Sequence, residues 1–434
     1  MSYQETAEFY SDLYDELFPI LRSITGPGLR QSYDIFGRYM PLEICSFKSG
    51  SRVFDWKIPQ EWHCEDAYLL DPEGNKVADM KRLNIEVLNY SEPVDRDIEL
   101  DELQNHLYSL PDLPTAVPYV TSYYKKRWGF CLSQESRDKL RPGTYKAVVK
   151  SEFVDGTLDI AQTVLEGQSK KEVMLSSYLC HPSMANNELS GPLVLLGLYN
   201  RIKQWPNRRY TYRFILNPET IGSLSVLHML GEHFKENMVS GLVINCMGGE
   251  PDELVFKQSR NEQGILDKLL PHLNRFGYKH SNIPFSPLKG SDERQYNSPG
   301  FQLPVCCVSR AFHTGFDEYH TSLDNKEAMG IDPLLDSIDK LEQIFLAHEQ
   351  CATFENTCPY GEPNLGSRGL YPTVSMVTKE RERQASELND MRMLLNYGDC
   401  EHDTIDIANL QNKCVTDMQS AIGKLEQQSL LEMV

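Results

Sequence analysis

VMLSSYLCHPSMANNELSG, residues 173–191, runs from an apolar strand through a polar turn into a helix. Val173 to Leu179 has the length and composition of a buried strand, and Ser190 stands where a helix needs its cap. Between them lie His181, Asn186, Asn187 and Glu188. In an open α/β sheet, ligands collect beyond the carboxyl ends of the strands, which is where these polar residues fall.

The same rhythm continues downstream. Strands are expected at Tyr212 to Leu216, Leu242 to Cys246 and Pro304 to Val308, with helices from Ser223 and from Asn261 between them. A last helix, Pro333 to about Gln350, takes Asp332 as N-cap and turns Leu334, Ile338, Leu341 and Phe345 to the sheet. This alternation predicts an α/β fold, a mostly parallel sheet sandwiched by helices. Upstream, an apolar stripe over Ala7 to Ile24 predicts one helix, closed by Gly26-Pro27-Gly28, and Leu29 to Tyr39 a second. Short alternating runs such as Arg52 to Trp56, Ala67 to Leu70 and Thr144 to Val149 predict a small β-rich domain. The end of the chain reads as helices Lys379 to Leu395, Thr404 to Leu410 and Thr416 to Gln428 with an apolar tail, the pattern of a winged helix. The expected organisation is N-terminal helices of the α/β domain over 1–44, the β-rich domain over 45–165, the α/β domain proper over 166–355 and the winged-helix-like unit over 373–434.

At 434 residues the chain suffices for several cores, and its formal net charge of −19 argues against nucleic acid or anionic membrane as the main partner. The winged-helix-like unit carries six basic residues against eleven acidic ones, so protein docking or homo-oligomerisation suits it better than DNA. The acidic start MSYQETAEFY and scattered cysteines without a CxxC point to the reducing cytoplasm.

Four strand ends carry candidate chemistry: Cys180-His181-Pro182-Ser183, Asn217-Pro218-Glu219-Thr220, Cys246 with Glu250 beyond it, and the stretch holding His313 and Glu318-Tyr319-His320-Thr321. Each has a plain alternative: a lone His is often a structural hydrogen-bonding residue, and Glu219 after Pro218 suits a helix first turn. Two histidines and carboxylates at one sheet edge are nevertheless the combination zinc takes with a position left for water. A Cys180/His181 nucleophile is disfavoured, because strand neighbours point to opposite faces. Ser190 has no GxSxG context, and no phosphate-binding Gly loop occurs.

In order, CHPSMANNELSGP, FILNPETIGS, KGSDERQYNSPGFQLP and EYHTSLDN resemble the zinc aminopeptidase superfamily that includes glutaminyl cyclases and bacterial leucyl aminopeptidases. They resemble more closely a bacterial family of aminopeptidase-like proteins with a small β domain in front and a winged helix behind. The resemblance spans essentially the whole chain and implies a zinc-exopeptidase-like fold. By position it implies His181 and His320 as metal ligands and Glu219 as general base. It also places Asp292 in a Ser-Asp loop that shapes the site, and Asp292, Arg294 and Tyr319 are the expected substrate contacts. Three positions depart from the pattern: Asn187 stands for the bridging Asp, Thr220 for the second acid of a Glu-Glu pair, and Cys246 for the acid closing the third strand. A neutral amide does not hold two dications together, so one zinc is expected, on His181, His320 and a third ligand, Glu188 before Asn187. The implied activity is zinc-dependent hydrolysis of an amide bond in a small-molecule or peptide-like substrate, with a non-catalytic ligand-binding or scaffold protein as the alternative. The closer family is associated with surface-polysaccharide assembly, which makes an N-acylated sugar or aminoacyl conjugate as good a substrate as a peptide.

Overall fold

The computed structural model describes residues 2–310, 316–371 and 379–434; His313 lies outside them. Two compact units are present, Met1–Asn261 with Ser281–Asp339, and Glu262–His280 with Lys340–Val434.

The first unit opens with helices α1 (Tyr3–Leu17) and α2 (Pro27–Gly37), the former started by a capping box between Ser2 and Glu5. Eight strands follow in the main sheet: β1 (Glu43–Lys48), β2 (Thr157–Leu165), β3 (Glu172–Tyr178), β4 (Thr211–Asn217), β5 (Met238–Ile244), β6 (Leu254–Lys257), β7 (His280–Ile283) and β8 (Val305–Ser309). Their spatial order is β1-β2-β4-β3-β5-β8-β6-β7. The central four, β4, β3, β5 and β8, pair with one another in parallel, whereas β1, β2 and β6 each pair antiparallel with their neighbours. The expected mostly parallel sheet is therefore mixed. Burial explains the difference: every residue of β3 is buried, whereas β1 alternates and lies at the edge.

Helices α3 (Ser190–Ile202), α4 (Ile221–Asn237) and α5 (Ile331–Glu349) are the long helices that follow in the sequence. Gly191 lets α3 meet the sheet backbone directly, since a Cβ there would come within 2.5 Å of the Ile244 carbonyl oxygen. α5 starts at Ile331, so Asp332 sits inside its first turn instead of capping it, and accepts a hydrogen bond from the Tyr3 hydroxyl at 2.8 Å. Beyond β6, helix begins at Ile265, later than the expected Asn261.

The β-rich domain is narrower than 45–165. Glu43–Lys48 and Thr157–Leu165 pair with each other inside the main sheet, and residues 49–156 emerge between them. Their alternating pattern marks a half-buried strand but does not say which sheet it joins. The insertion is built on a four-stranded antiparallel sheet, Lys76–Asp79, Glu61–Leu70, Thr144–Val154 and Val94–Glu99. Arg52 to Trp56 is not one strand: Phe54, at φ 53°, turns the chain between Arg52–Val53 and Trp56–Lys57. Trp62, Leu69 and Tyr145 from the insertion share a continuous apolar core with Met174, Ile215 and Val243 of the main sheet.

In the second unit, Thr353–Asn356 is the central strand of a three-stranded antiparallel sheet with Asp399–Asp403 and Leu431–Met433. That strand precedes the expected boundary at 373. Helices Lys379–Asn396, Thr404–Leu410 and Gln419–Gln427 complete the winged-helix arrangement, with a 3-10 turn at Val415–Met418 where the expected third helix began.

Candidate active site

The sheet reverses direction of growth at β3, with β4 on one side and β5 on the other, which opens a crevice at the carboxyl edge of these strands. The residues entering it sit on strained backbone. Ser183 (φ 49°), Thr220 (65°), Cys246 (51°) and His320 (57°) all take positive φ without being glycine, a grouping found where surrounding structure holds a site in place.

His181 is 5% exposed and lies just past β3. Its Nδ1 is 2.6 Å from Glu188 Oε2, and its backbone N–H donates to Glu188 Oε1 at 2.8 Å, an oxygen that also accepts from the Cys180 N–H. Burial alone would lower the His181 pKa, but the neighbouring Cys180 and the Glu188 carboxylate hold it well above the usual histidine range. On the other side of the ring, Nε2 is 3.7 Å from Glu219 Oε2. The other Glu219 oxygen accepts from the Ser291 hydroxyl at 2.8 Å. The His320 ring centroid is 5.1 Å from that of His181, and Tyr319 stacks on His320 at 3.9 Å. Tyr178, Glu219, Cys246, Ser291 and Tyr319 are among the walls of a void of about 20 Å³, room for one water-sized group.

Glu188, the expected third ligand, is hydrogen-bonded to His181 in this structure. Among the described residues, Cys180, His181 and Glu188 have candidate ligand atoms within 4.8 Å of one another, but they form a hydrogen-bonded cluster. A tetrahedral zinc with bonds of about 2.0–2.1 Å sets its donors about 3.3 Å apart, wider than the 2.6 Å found here. Burial pushes the Cys180 thiol up to about 11. Its Sγ does reach within 3.6 Å of His181 Nδ1, because β3 ends at Tyr178 and the alternation of strand neighbours no longer applies. A thiol held protonated is still a poor nucleophile. Glu188 is instead the carboxylate that fixes a histidine's Nδ1–H and presents its Nε2, the usual support of a metal-binding imidazole.

Asn187 answers the vacancy left by Glu188. Its Nδ2 donates to the Tyr178 hydroxyl at 3.0 Å, which fixes the amide, and its buried Oδ1 makes no hydrogen bond among the described residues. Asp324 holds the turn by accepting the Asn186 and Asn187 N–H groups at 2.7 and 2.9 Å. His181, His320 and Asn187 Oδ1 could hold one zinc. Thr220 and Cys246 offer no anionic donor for a second, since burial pushes the Cys246 thiol up as well.

Asp292 does not face a substrate. It is 0% exposed and accepts from the Thr220 N–H at 2.6 Å, Asn217 Nδ2 at 2.8 Å and the Ser223 hydroxyl at 3.0 Å, locking the strained turn that aims Glu219. Arg294 donates to the Ser291 carbonyl at 3.1 Å and braces the same loop. Of the three expected substrate contacts, Tyr319 alone lines the void. Burial, then the Glu219 charge, lifts the Asp292 pKa to about 7, against about 3.9 in an unfolded chain. The folded state therefore keeps this proton to higher pH than the unfolded state. Stability is expected to fall as pH rises from about 4 through about 7. Thermal denaturation at about pH 5 and pH 8 should show a flatter response in Asp292→Asn than in the parent; equal slopes would refute the assignment.

Two contributors escape the sequence pattern. Arg22, fully buried, donates Nε to the His181 carbonyl at 3.0 Å and Nη1 to the Leu17 carbonyl at 2.7 Å. Tyr119, from the insertion, meets the rings of His181 and His320 edge-on at 5.1 and 5.5 Å and donates its N–H to the His320 carbonyl at 2.8 Å. Arg22 stands in an apolar stretch, which hints at burial without saying what it holds; nothing in local pattern brings Tyr119 to this edge.

Residues 11–350 match a family model described as a domain of unknown function, DUF4910, and residues 352–433 match a winged helix-turn-helix. A Clostridium acetobutylicum protein, provisionally named a polysaccharide biosynthesis protein with an aminopeptidase-like domain, is 37% identical over 99% of this chain and 97% of its own length. A crystal structure from the same organism, provisionally named a peptidase, superposes with TM-score 0.88 at 36% identity, covering 99% of this chain and 97% of that one. A zinc aminopeptidase from Bacillus subtilis shares the fold at TM-score 0.55 and 12% identity, over 77% of this chain and 93% of that one. The site thus sits in an aminopeptidase-like α/β fold with a winged helix at the C-terminal end, and the chain belongs to the DUF4910 family.

Proposed function

We propose that this protein is an aminopeptidase-type amide hydrolase that works with one zinc ion. The observation that carries the reading is the line Glu188, His181, Glu219: one carboxylate fixes Nδ1, and the other waits 3.7 Å from Nε2. His181, His320 and Asn187 would hold the ion, which when bound supplies an acidified water and a Lewis acid for the scissile carbonyl. Glu219, anchored through Oε1 by Ser291, would take a proton at Oε2 and return it to the leaving amine. Tyr119 and Tyr319 would wall the site against solvent. An N-acylated amino sugar or an aminoacyl conjugate is the proposed substrate class, in keeping with the provisional name of the Clostridium relative. Cytoplasmic residence belongs to the same proposal and agrees with eleven free cysteines; no helix among the described residues is long and apolar enough to cross a membrane. For the winged-helix segment we propose protein docking or self-association.

Neutral Asn187, Thr220 and Cys246 at positions where the resemblance expects acids favour a second reading, a ligand-binding descendant without catalysis. Elemental analysis of the purified chain separates the two. About one zinc per chain, with chelator-sensitive release of amine from N-acylated amino sugars or aminoacyl anilides, is the expected result. Zinc-free protein after loading would leave the ligand-binding reading.

A further inference from the structure

The inserted β domain contains a cavity of about 300 Å³ that the site described above does not use. Its walls are the rings of Tyr90, Tyr123, Tyr124 and Phe153, and Lys125 and Lys126 stand at the rim. We propose that this cavity binds a saccharide ring bearing a carboxylate or phosphate group.

The cavity is preformed. Tyr90, at φ 66°, is held by its hydroxyl donating to the Gln60 carbonyl at 2.9 Å. Asn89 bridges to the facing segment in parallel fashion, its N–H donating to the Val120 carbonyl and its carbonyl accepting from the Ser122 N–H. Arg127 closes the 122–127 loop by donating to the Thr121 carbonyl at 2.6 Å. The rings pack edge to face, 86° between Tyr90 and Tyr123 and 75° between Tyr123 and Tyr124, and Tyr90 stacks on Trp62, which fixes the walls in place. Tyr124 is 62% exposed. A cavity of this size, with four aromatic rings among its walls and polar groups beside them, is the usual form of a small-molecule site.

The charges at the rim select among ligands. Rings with Glu92 beside them would suit an organic cation. Lys125 and Lys126 stand at the same rim and make no ion pair among the described residues, in a chain of net charge −19 that elsewhere repels anions. Two unpaired cations against one carboxylate favour an anion. A purely aromatic anion would leave Glu92 without a donor. A pyranose offers C–H faces to the rings, hydroxyls to Glu92 and Gln60, and its charged substituent to the lysines. The Tyr123 hydroxyl is also 2.7 Å from that of Tyr119, whose ring lies against His181 and His320, so an occupant would sit one hydroxyl pair from the histidines. The inference does not depend on the hydrolase reading, because its test reads binding alone.

Titration calorimetry of the full chain with D-glucuronate, glucose 6-phosphate, glucose and inorganic phosphate provides that test. Both charged sugars should bind with Kd on the order of 1 mM or tighter, glucose about tenfold more weakly, and phosphate alone not measurably. The tighter of the two charged sugars identifies the anion. Tyr124→Ala, and Lys125→Ala with Lys126→Ala, should each weaken the charged sugars about tenfold at unchanged Tm, since these side chains are exposed. Three outcomes would overturn the proposal: neither charged sugar binds, phosphate binds as tightly as glucose 6-phosphate, or Tyr124→Ala leaves binding intact.

Discussion

His181→Ala is expected to yield a folded protein that retains no zinc above background. The side chain supplies the donor with the most complete support: Nδ1 tied to Glu188, the carbonyl tied to Arg22, and Nε2 facing Glu219. The remaining donors are His320 and a neutral amide, and with those alone the ion would be held mainly by water. The informative contrast is Glu188→Gln. As a ligand, Glu188 would carry the site's fixed negative charge, and its loss would empty the site too. As the support of Nδ1, its loss should weaken zinc by about 10–100-fold without abolishing binding. Zinc titration of the metal-free parent and both variants distinguishes these cases. Undiminished zinc in His181→Ala would remove the metal from this edge of the sheet.

Glu219→Gln should keep fold and zinc while lowering turnover of a validated substrate by about 10²–10⁴-fold, the usual share of general acid–base catalysis. The amide preserves the shape that Ser291 grips, but it has no lone-pair basicity to accept a proton from water. The loss should appear in kcat with KM little changed, because the group acts in the transition state and not in substrate binding. Turnover equal to the parent's would strike Glu219 from the mechanism, and turnover lost together with zinc would make it a ligand.

What was legible in the sequence follows a physical division. β3 and α3 were readable because a run buried on both faces must be apolar throughout and because its polar terminus has nowhere to go but the sheet edge. His181 came with the end of β3, Glu219 with the end of β4, and Tyr319 with the polar stretch beyond β8. Glu188 could not be oriented from sequence: neighbours in the π-helical turn Ala185–Leu189 point in different directions, and only the folded turn sends Asn187 towards Tyr178 and Glu188 towards His181 Nδ1. Asp292 was placed in the right loop and given the wrong partner, since nothing in SDER says whether the acid turns outward or binds the Thr220 N–H. Tyr119 and Arg22 are long-range contributions, and local pattern carries no information about them.

The register of β1 against β2 carries an evolutionary consequence. Lys48 and Thr157 are cross-strand partners, and Ser49 and Gly156 are joined by the Ser49 N–H bonding the Gly156 carbonyl at 2.9 Å. Topologically, everything from 49 to 156 is the loop of one β-hairpin. An ancestral chain with a short turn there would have had the same sheet, so the domain could enter by duplication or recombination without disturbing a single strand pairing. Besides a core shared with the main sheet, it brought a new wall: Tyr119 against both histidines, and behind it a separate aromatic cavity. Diversification of such proteins would then run through the hairpin's passenger, with the candidate site at the sheet edge left as the inherited part.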